Sequence, residues 1–195
     1  MLISNEAKLD EIFERLRKRL DDPDALNPAH ADPIFYLVYE PQNILMVRQA
    51  LPRWIARIRN ENSISVSVIS LADLMWQTID ESGRWETWVD LEDDFDLEEI
   101  NEAIRSVLRD SDCFINAVVE RVEQIEPNTV IFITDIELLH PYYRSRHIEN
   151  ALTNRAKSPI VFFYPGHRTG QHGLKFLGFY PEDAGYRSTI IGGEV

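Results

Sequence analysis

The sequence predicts a three-layer α/β fold, a mainly parallel sheet covered by helices on both faces, and three observations lead there. The runs Ile34–Tyr39 and Thr129–Thr134 are continuous stretches of apolar, aromatic and β-branched residues without alternation, the pattern of strands buried on both faces. Segments of helical periodicity separate the strands. A strand, a helix and a second strand follow one another between Thr129 and Tyr164, about 35 residues, which makes a right-handed crossover joining two parallel strands. A chain of 195 residues suits a single domain of this kind, with a flanking helix and loop over 1–32, an acidic and mostly helical segment over 80–126, and a Gly-rich segment over 164–195.

The elements follow in order. Ser4 to Leu20 places Leu9, Ile12, Phe13, Leu16 and Leu20 at helical spacing behind a Ser-Asn-Glu start, an amphipathic helix. Asp21-Asp-Pro-Asp stops it, and a polar loop with Pro28 and Pro33 leads into Ile34–Tyr39, the first sheet strand. Leu45, Val47, Leu51, Trp54, Ile55 and Ile58 define the next helix, in which Pro52 forms either a kink or the first turn of a second helix. Ser63–Ile69 alternates and reads as a strand with one less buried face, followed by a short helix from Leu71 to Ile79. A turn over Glu81–Trp85 opens an acidic segment, Trp85–Asp96, whose aromatics either pack on the body or form an exposed docking site. Asp96 starts a helix with Ile100, Ile104, Val107 and Leu108 on one face. A further helix runs from Asp112 to Ile125, where Cys113 is a small buried apolar group. The strand Thr129–Thr134, a helix over Arg146–Arg155 and a strand over Ser158–Tyr164 complete the sheet region.

Composition narrows the functional classes. The formal charge of −13 repels phosphate backbones, so direct nucleic-acid binding by the isolated chain is disfavoured. Charge is also segregated: Asp80 to Glu126 holds 16 acids against 4 Arg, whereas His140 to Lys175 holds 6 Lys or Arg against 1 acid. Such polarity suits protein partners of complementary charge at either side, or serves solubility. No apolar run approaches the roughly 18–20 residues of a membrane span. The opening Met-Leu-Ile-Ser-Asn-Glu lacks the regions of a signal peptide, and the lone Cys113 forms no internal disulfide; a cytoplasmic location is expected.

Two acids, Asp135 and Glu137, stand just past the strand Thr129–Thr134, at the carboxyl end where open α/β sheets place ligands. In P-loop nucleotide hydrolases an apolar strand ends in the same way, the Asp holding Mg²⁺ and the Glu, in many, orienting water. The plain alternative is a core strand followed by a polar loop. The phosphate-binding turn expected after Ile34–Tyr39 is absent: Glu40-Pro-Gln-Asn43 stands in its place, and G-x-x-x-x-G-K-[ST] occurs nowhere in the chain. The expectation is a P-loop-ATPase-like topology of the RecA/AAA type lacking its Walker A motif, without ATP hydrolysis, catalytic residues, cofactor or metal.

The C-terminal run Tyr164–Gly193 holds seven of the eight Gly residues, which suits tight turns rather than one regular element. Its Phe163-Tyr-Pro-Gly166 turn, Leu174-Lys-Phe-Leu-Gly-Phe-Tyr180 run and Tyr186-Arg187 ending, together with Phe132-Ile-Thr-Asp-Ile-Glu137, resemble the BrxB family of bacterial BREX phage-defence systems. The resemblance implies a cytoplasmic component of a multi-protein system that separates self from phage DNA by methylation. Its ATPase, methyltransferase and phosphatase-like components are separate chains, and a BrxB-like chain would be an adaptor joining some of them. No catalytic residue is carried over by the resemblance.

For an adaptor, the candidate partner-binding residues are exposed ones near the sheet's carboxyl end and in the Gly-rich segment: Asp135, Glu137, Tyr142, Tyr143, Arg144, His167 and Arg168. The acidic segment Trp85–Asp96 is a second candidate surface. An enzyme is the alternative, a metal-dependent phosphodiester hydrolase built from Asp135, Glu137, His140 and His147 with His167 and His172 flanking Gly170. A nucleic-acid accessory role through Arg144, Arg146, Arg155, Lys157, Arg168 and Lys175, with Tyr142, Tyr143 and Tyr164 for stacking, is the third.

Overall fold

The computed structural model describes residues 4–22, 33–62, 64–91 and 95–193. Most of the expected polar loop after Asp22, including Pro28, and residues 92–94 of the acidic segment lie outside the described residues.

Helix α1 (Asn5–Leu20) opens at Ser4, whose hydroxyl accepts the Ala7 N–H at 3.2 Å, and buries Leu9, Phe13, Leu16 and Leu20. Strand β1 (Ile34–Tyr39) is buried at all six positions, as an unalternating apolar run requires. Helix α2 (Ile44–Arg57) runs through Pro52 and ends in a π-helical turn, Ile58–Asn62. The second helix considered at Pro52 therefore does not begin there. Val47, Ala50, Trp54 and Ile58, buried around the proline, hold the helix together although Arg48 loses its i+4 amide donor. Strand β2 (Ser65–Ser70) passes into helix α3 (Leu71–Glu81), where the Ser70 hydroxyl accepts the Asp73 N–H.

Helix α4 (Trp85–Asp90) is a single exposed segment with no buried residue. Helix α5 (Leu97–Arg109) starts in a capping box in which Asp96 and Glu99 each accept the other's backbone N–H at 2.9 Å. Ser111 and Asp112 take left-handed backbone before helix α6 (Cys113–Glu123). Strand β3 (Thr129–Thr134), helix α7 (Ser145–Leu152) and strand β4 (Ile160–Thr169) form the expected parallel crossover, with Ile131 opposite Ile160.

Five strands lie parallel in the order β2-β3-β4-β1-β7, the last being Thr189–Gly192. Interior strands alternate their side chains between two cores. On one face Phe35, Leu37, Val130, Phe132, Val161 and Phe163 meet α1 and α2. On the other, Tyr36, Ile131, Ile133, Phe162 and Tyr164 meet α3, α5, α6 and α7. Helices thus cover both faces, as the strand pattern predicts.

The Gly-rich segment is more regular than its composition suggests. Strand β4 does not end at Tyr164 but continues through Pro165 and Gly166, leaves β1 after the Tyr39–Pro165 pair, and turns antiparallel against β5 (Gly173–Phe176). Proline is tolerated because it sits where the strand changes partner. Gly166 is required there, since a Cβ would lie 2.4 Å from the Lys175 carbonyl oxygen. A two-residue strand β6, Asp183–Ala184, pairs with β5.

Candidate functional site

At the carboxyl end of β3 two predicted residues, Asp135 and Glu137, converge with a cation. Asp135 leaves the strand with φ 61°, a left-handed conformation that a short polar side chain tolerates, and opens the 3₁₀ turn Ile136–Leu139. The turn sends Ile136 and Leu139 into the core while Asp135 and Glu137 stay together outside it. Thr134 donates its hydroxyl to Asp135 Oδ2 at 3.0 Å.

Arg48, from the second turn of α2, lies between the acids. Its Nη2 donates to Asp135 Oδ1 at 2.7 Å and to Glu137 Oε1 at 3.0 Å. The Glu137 side chain is only 10% exposed, whereas that of Arg48 is 45% exposed. Burial pushes the Glu137 carboxyl above the usual carboxylate range, and the neighbouring Asp135 adds to this, although Arg48 and the backbone amide work in the opposite direction. Glu137 Oε2 is buried and makes no hydrogen bond. The group borders a cleft of about 250 Å³ walled by Tyr39, Val47, Val68, Ser70 and Phe163. Burial also raises the Tyr39 phenol, helped by Glu137 and Asp135, so it is a neutral wall.

The turn after β1 is built differently from a phosphate cradle. Pro41–Asn43 is a 3₁₀ turn without glycine, closed by the Asn43 N–H donating to the Glu40 carbonyl at 2.9 Å. The Glu40 carboxylate faces His167 Nδ1 at 3.2 Å. The Glu40 carboxylate at the start of the turn is thus met from the β4 extension.

Of the remaining predicted residues, Tyr142, Tyr143 and Arg144 lie on the loop after β3, beside the segment that follows β5, while Arg168 lies on the β4 extension. Arg144 is exposed and lays its guanidinium 4.0 Å from the centre of the Tyr180 ring. The Tyr180 hydroxyl meets His140 Nδ1, and Phe179, 63% exposed, packs edge-on against the same imidazole. Burial, with Arg144 nearby, holds His140 below the ordinary imidazole value. Tyr142 is half-buried. Tyr143 corrects the expectation of exposure: its ring is buried edge-on against Phe114, so only its rim is available. Arg168 donates to the carbonyls of Gly170 and Gln171 at 3.0 and 3.1 Å, and so shapes its own turn. Arg146 pairs with Asp183 across an open hollow of about 470 Å³ that Arg144, His147, Asn150 and Glu182 also line.

Among the described residues no group of three or more His, Cys, Asp or Glu side chains is positioned to share a metal ion. His140 and His147 turn toward Tyr180 and Tyr143 rather than toward Asp135. Tyr164, offered for base stacking, is buried under Tyr36 and Phe176. Cys113 donates its thiol to the Val107 carbonyl, and burial raises its pKa. Among the described residues no helix is long and apolar enough to cross a membrane.

Two residues central to this geometry were missed in the sequence. Arg48 has a faint signal, a cation in the helix that follows the first strand. Glu149 has a clearer one: it lies beside Ile148 and three residues before Leu152, inside the apolar stripe of α7. Buried to 4% exposure, it accepts the Tyr36 hydroxyl at 3.2 Å and that of Ser188.

Comparison with known proteins identifies a family. The model of the family BrxB, described as BREX protein BrxB, matches residues 67–191, from within β2 to β7. A protein described as BREX protein BrxB from Bacillus cereus (strain H3081.97) is 28% identical over 159 residues, covering 79% of this chain and 81% of the relative. No solved structure matches. The matched span takes in the acid-bearing turn after β3, the Arg144 loop and the β4–β5 hairpin, and the chain belongs to the BrxB family of BREX proteins.

Proposed function

We propose that this chain is a non-catalytic adaptor of a BREX-type anti-phage defence system, with a P-loop-ATPase-like sheet that has lost its phosphate site and docks other proteins of the system. The observation that carries the reading is the Arg48 guanidinium bridging Asp135 and Glu137. In a P-loop enzyme the corresponding acids face Mg²⁺ and water. Here a fixed cation of the chain itself takes up their charge. Glu40, paired with His167, adds a carboxylate where phosphate would have to lie.

The strand order supports the ancestry. β4 lies between β1, which ends at the altered turn, and β3, which ends at the acids, and β7 flanks β1 on its other side. AAA-type ATPases share that order. Docking falls to the end where exposed Arg144 and Phe179 stand with half-buried Tyr142 and Tyr180, with His167 and Arg168 on the β4 extension, since cations and aromatic rings suit an acidic protein surface. The partners are the ATPase, phosphatase-like or methyltransferase components, and the location is cytoplasmic.

Affinity capture of the intact chain against the separately purified proteins of its own operon tests this, alongside the Arg144→Glu variant and a calorimetric titration with Mg·ATP. Capture of one component, lost on charge reversal, with no heat from Mg·ATP, is the expected result. Saturable Mg·ATP binding, or metal-dependent cleavage of a phosphodiester by the purified chain, would overturn it.

A further inference from the structure

Beside the docking end just described, the opposite charge pole of the chain carries an apolar feature that the fold does not use. Trp76 and Trp85 are 45% and 47% exposed and meet edge to face with ring centres 6.0 Å apart; Trp85 meets Trp88 at 6.5 Å. Val89, one helical turn from Trp85, is 52% exposed. Six residues of helix are marginal without packing, yet α4 buries no residue, and only half-buried Trp88 reaches the core. Aromatic surface on this scale marks contact sites.

The charges around it identify what fits. Arg84 lies near Asp110, and Arg105 is taken up by Glu98 and Glu102. Asp80, Glu86 and Asp90 consequently have no ion-pair partner among the described residues. Indole faces beside unpaired carboxylates suit guanidinium groups, which stack on aromatic rings and pair with carboxylates in one plane. Lysine, a strongly hydrated point charge, satisfies only the second demand. Nucleic acid is repelled here. Of the chain's own arginines at the basic pole, Arg146 is committed to Asp183 and Arg168 to its turn; Arg144 remains, so a second copy is the competing occupant that the test separates.

We propose that the face formed by the end of α3 and by α4 docks an arginine-rich, partly apolar segment of a partner protein. The proposal rests on the adaptor reading and gives it a second surface, on elements separate from the Arg144 end.

The test titrates the full chain into a fluorescein-labelled helical peptide with Arg at every fourth position among Leu and Ala, read by anisotropy, with tryptophan emission followed in parallel. Saturable binding is expected, weakened about tenfold by Glu86→Lys with Asp90→Lys, since two exposed attractions become repulsions. Trp85→Ala and a Lys-for-Arg peptide should each weaken it too, whereas Arg144→Glu should leave it unchanged. The altered side chains are exposed, and unchanged circular dichroism and melting confirm that the variants fold. Absence of saturable binding, or binding indifferent to the α4 changes, overturns the proposal. A salt-sensitive dimer of the chain alone, abolished by the same charge reversal, would assign the face to a second copy and also overturn it. Failure here leaves capture through Arg144 intact, so the two readings fall separately.

Discussion

Replacing Arg48 by Ala should destabilise the protein by an amount that depends on pH. Arg48 makes two ion pairs, at 2.7 and 3.0 Å, but is 45% exposed, so each pair by itself contributes about 0.5 kcal/mol after screening. The larger part comes from Glu137: its side chain is 10% exposed and one oxygen already lacks a partner, so loss of the cation leaves a desolvated carboxylate beside Asp135. Together a loss of about 1–2 kcal/mol at neutral pH is expected, or roughly 2–8 °C in melting temperature for a domain of this size. The folded pKa of Glu137 is already raised, so its contribution is fully present below the unfolded value and is lost as pH rises through the folded one. Removing Arg48 moves that folded value further up. The cost should therefore be small at about pH 4, where the acid is largely protonated, and full at about pH 7.5. Urea denaturation at both pH values measures it. Adding Glu137→Gln to Arg48→Ala should recover at least half of the neutral-pH loss. Equal losses at the two pH values, or no recovery in the double variant, would show that Arg48 does not serve to neutralise these acids.

The buried Glu149 has a folded pKa raised by burial in spite of the Tyr36 and Ser188 hydroxyls and Arg146, so it too gives stability that fades as pH rises through that value; Glu149→Gln should flatten the decline between weakly acidic and neutral pH, read from melting curves. Trp54→Ala removes a fully buried ring stacked on Phe13 at 4.8 Å and should cost about 3–5 kcal/mol in urea. Trp54→Phe keeps the stacking and loses mainly the indole N–H bond to Asp10, a cost of about 1 kcal/mol by the same measurement. Gly166→Ala should loosen the β4–β5 hairpin and speed hydrogen exchange at the Leu177 amide, which donates to the Pro165 carbonyl at 3.0 Å.

The sheet was legible because its interior strands are buried on both faces, and that condition writes an unbroken apolar run into the sequence at Ile34–Tyr39 and Thr129–Thr134. The helix starts at Ser4 and Asp96 were legible for a similarly local reason, since a cap is a bond between residues three apart. The hairpin at Gly166 was not, because its glycines signal backbone approach without saying to what. Arg48 could not be paired with Asp135 from sequence: the partners are 87 residues apart and depend on β4 standing between β1 and β3. Trp85 was ambiguous between body and solvent because a single helical turn offers too few positions to define a buried stripe.

These placements share a logic. At the sheet's carboxyl end Asp135 and Glu137 share the Arg48 guanidinium of a neighbouring element, and Glu40 faces the His167 imidazole. A site that is to receive Mg²⁺ and phosphate must keep its acids open and its turn electropositive. Here Asp135 and Glu137 already share Arg48, so a ligand there would have to break ion pairs before making its own. Charge that is not neutralised stands instead at the periphery, on Asp80, Glu86 and Asp90 around the exposed indoles and on Arg144 above Tyr180. Binding free energy is available where desolvation is cheap and opposite charge is missing. The two proposed docking surfaces stand where that charge is, on the flanks of the sheet.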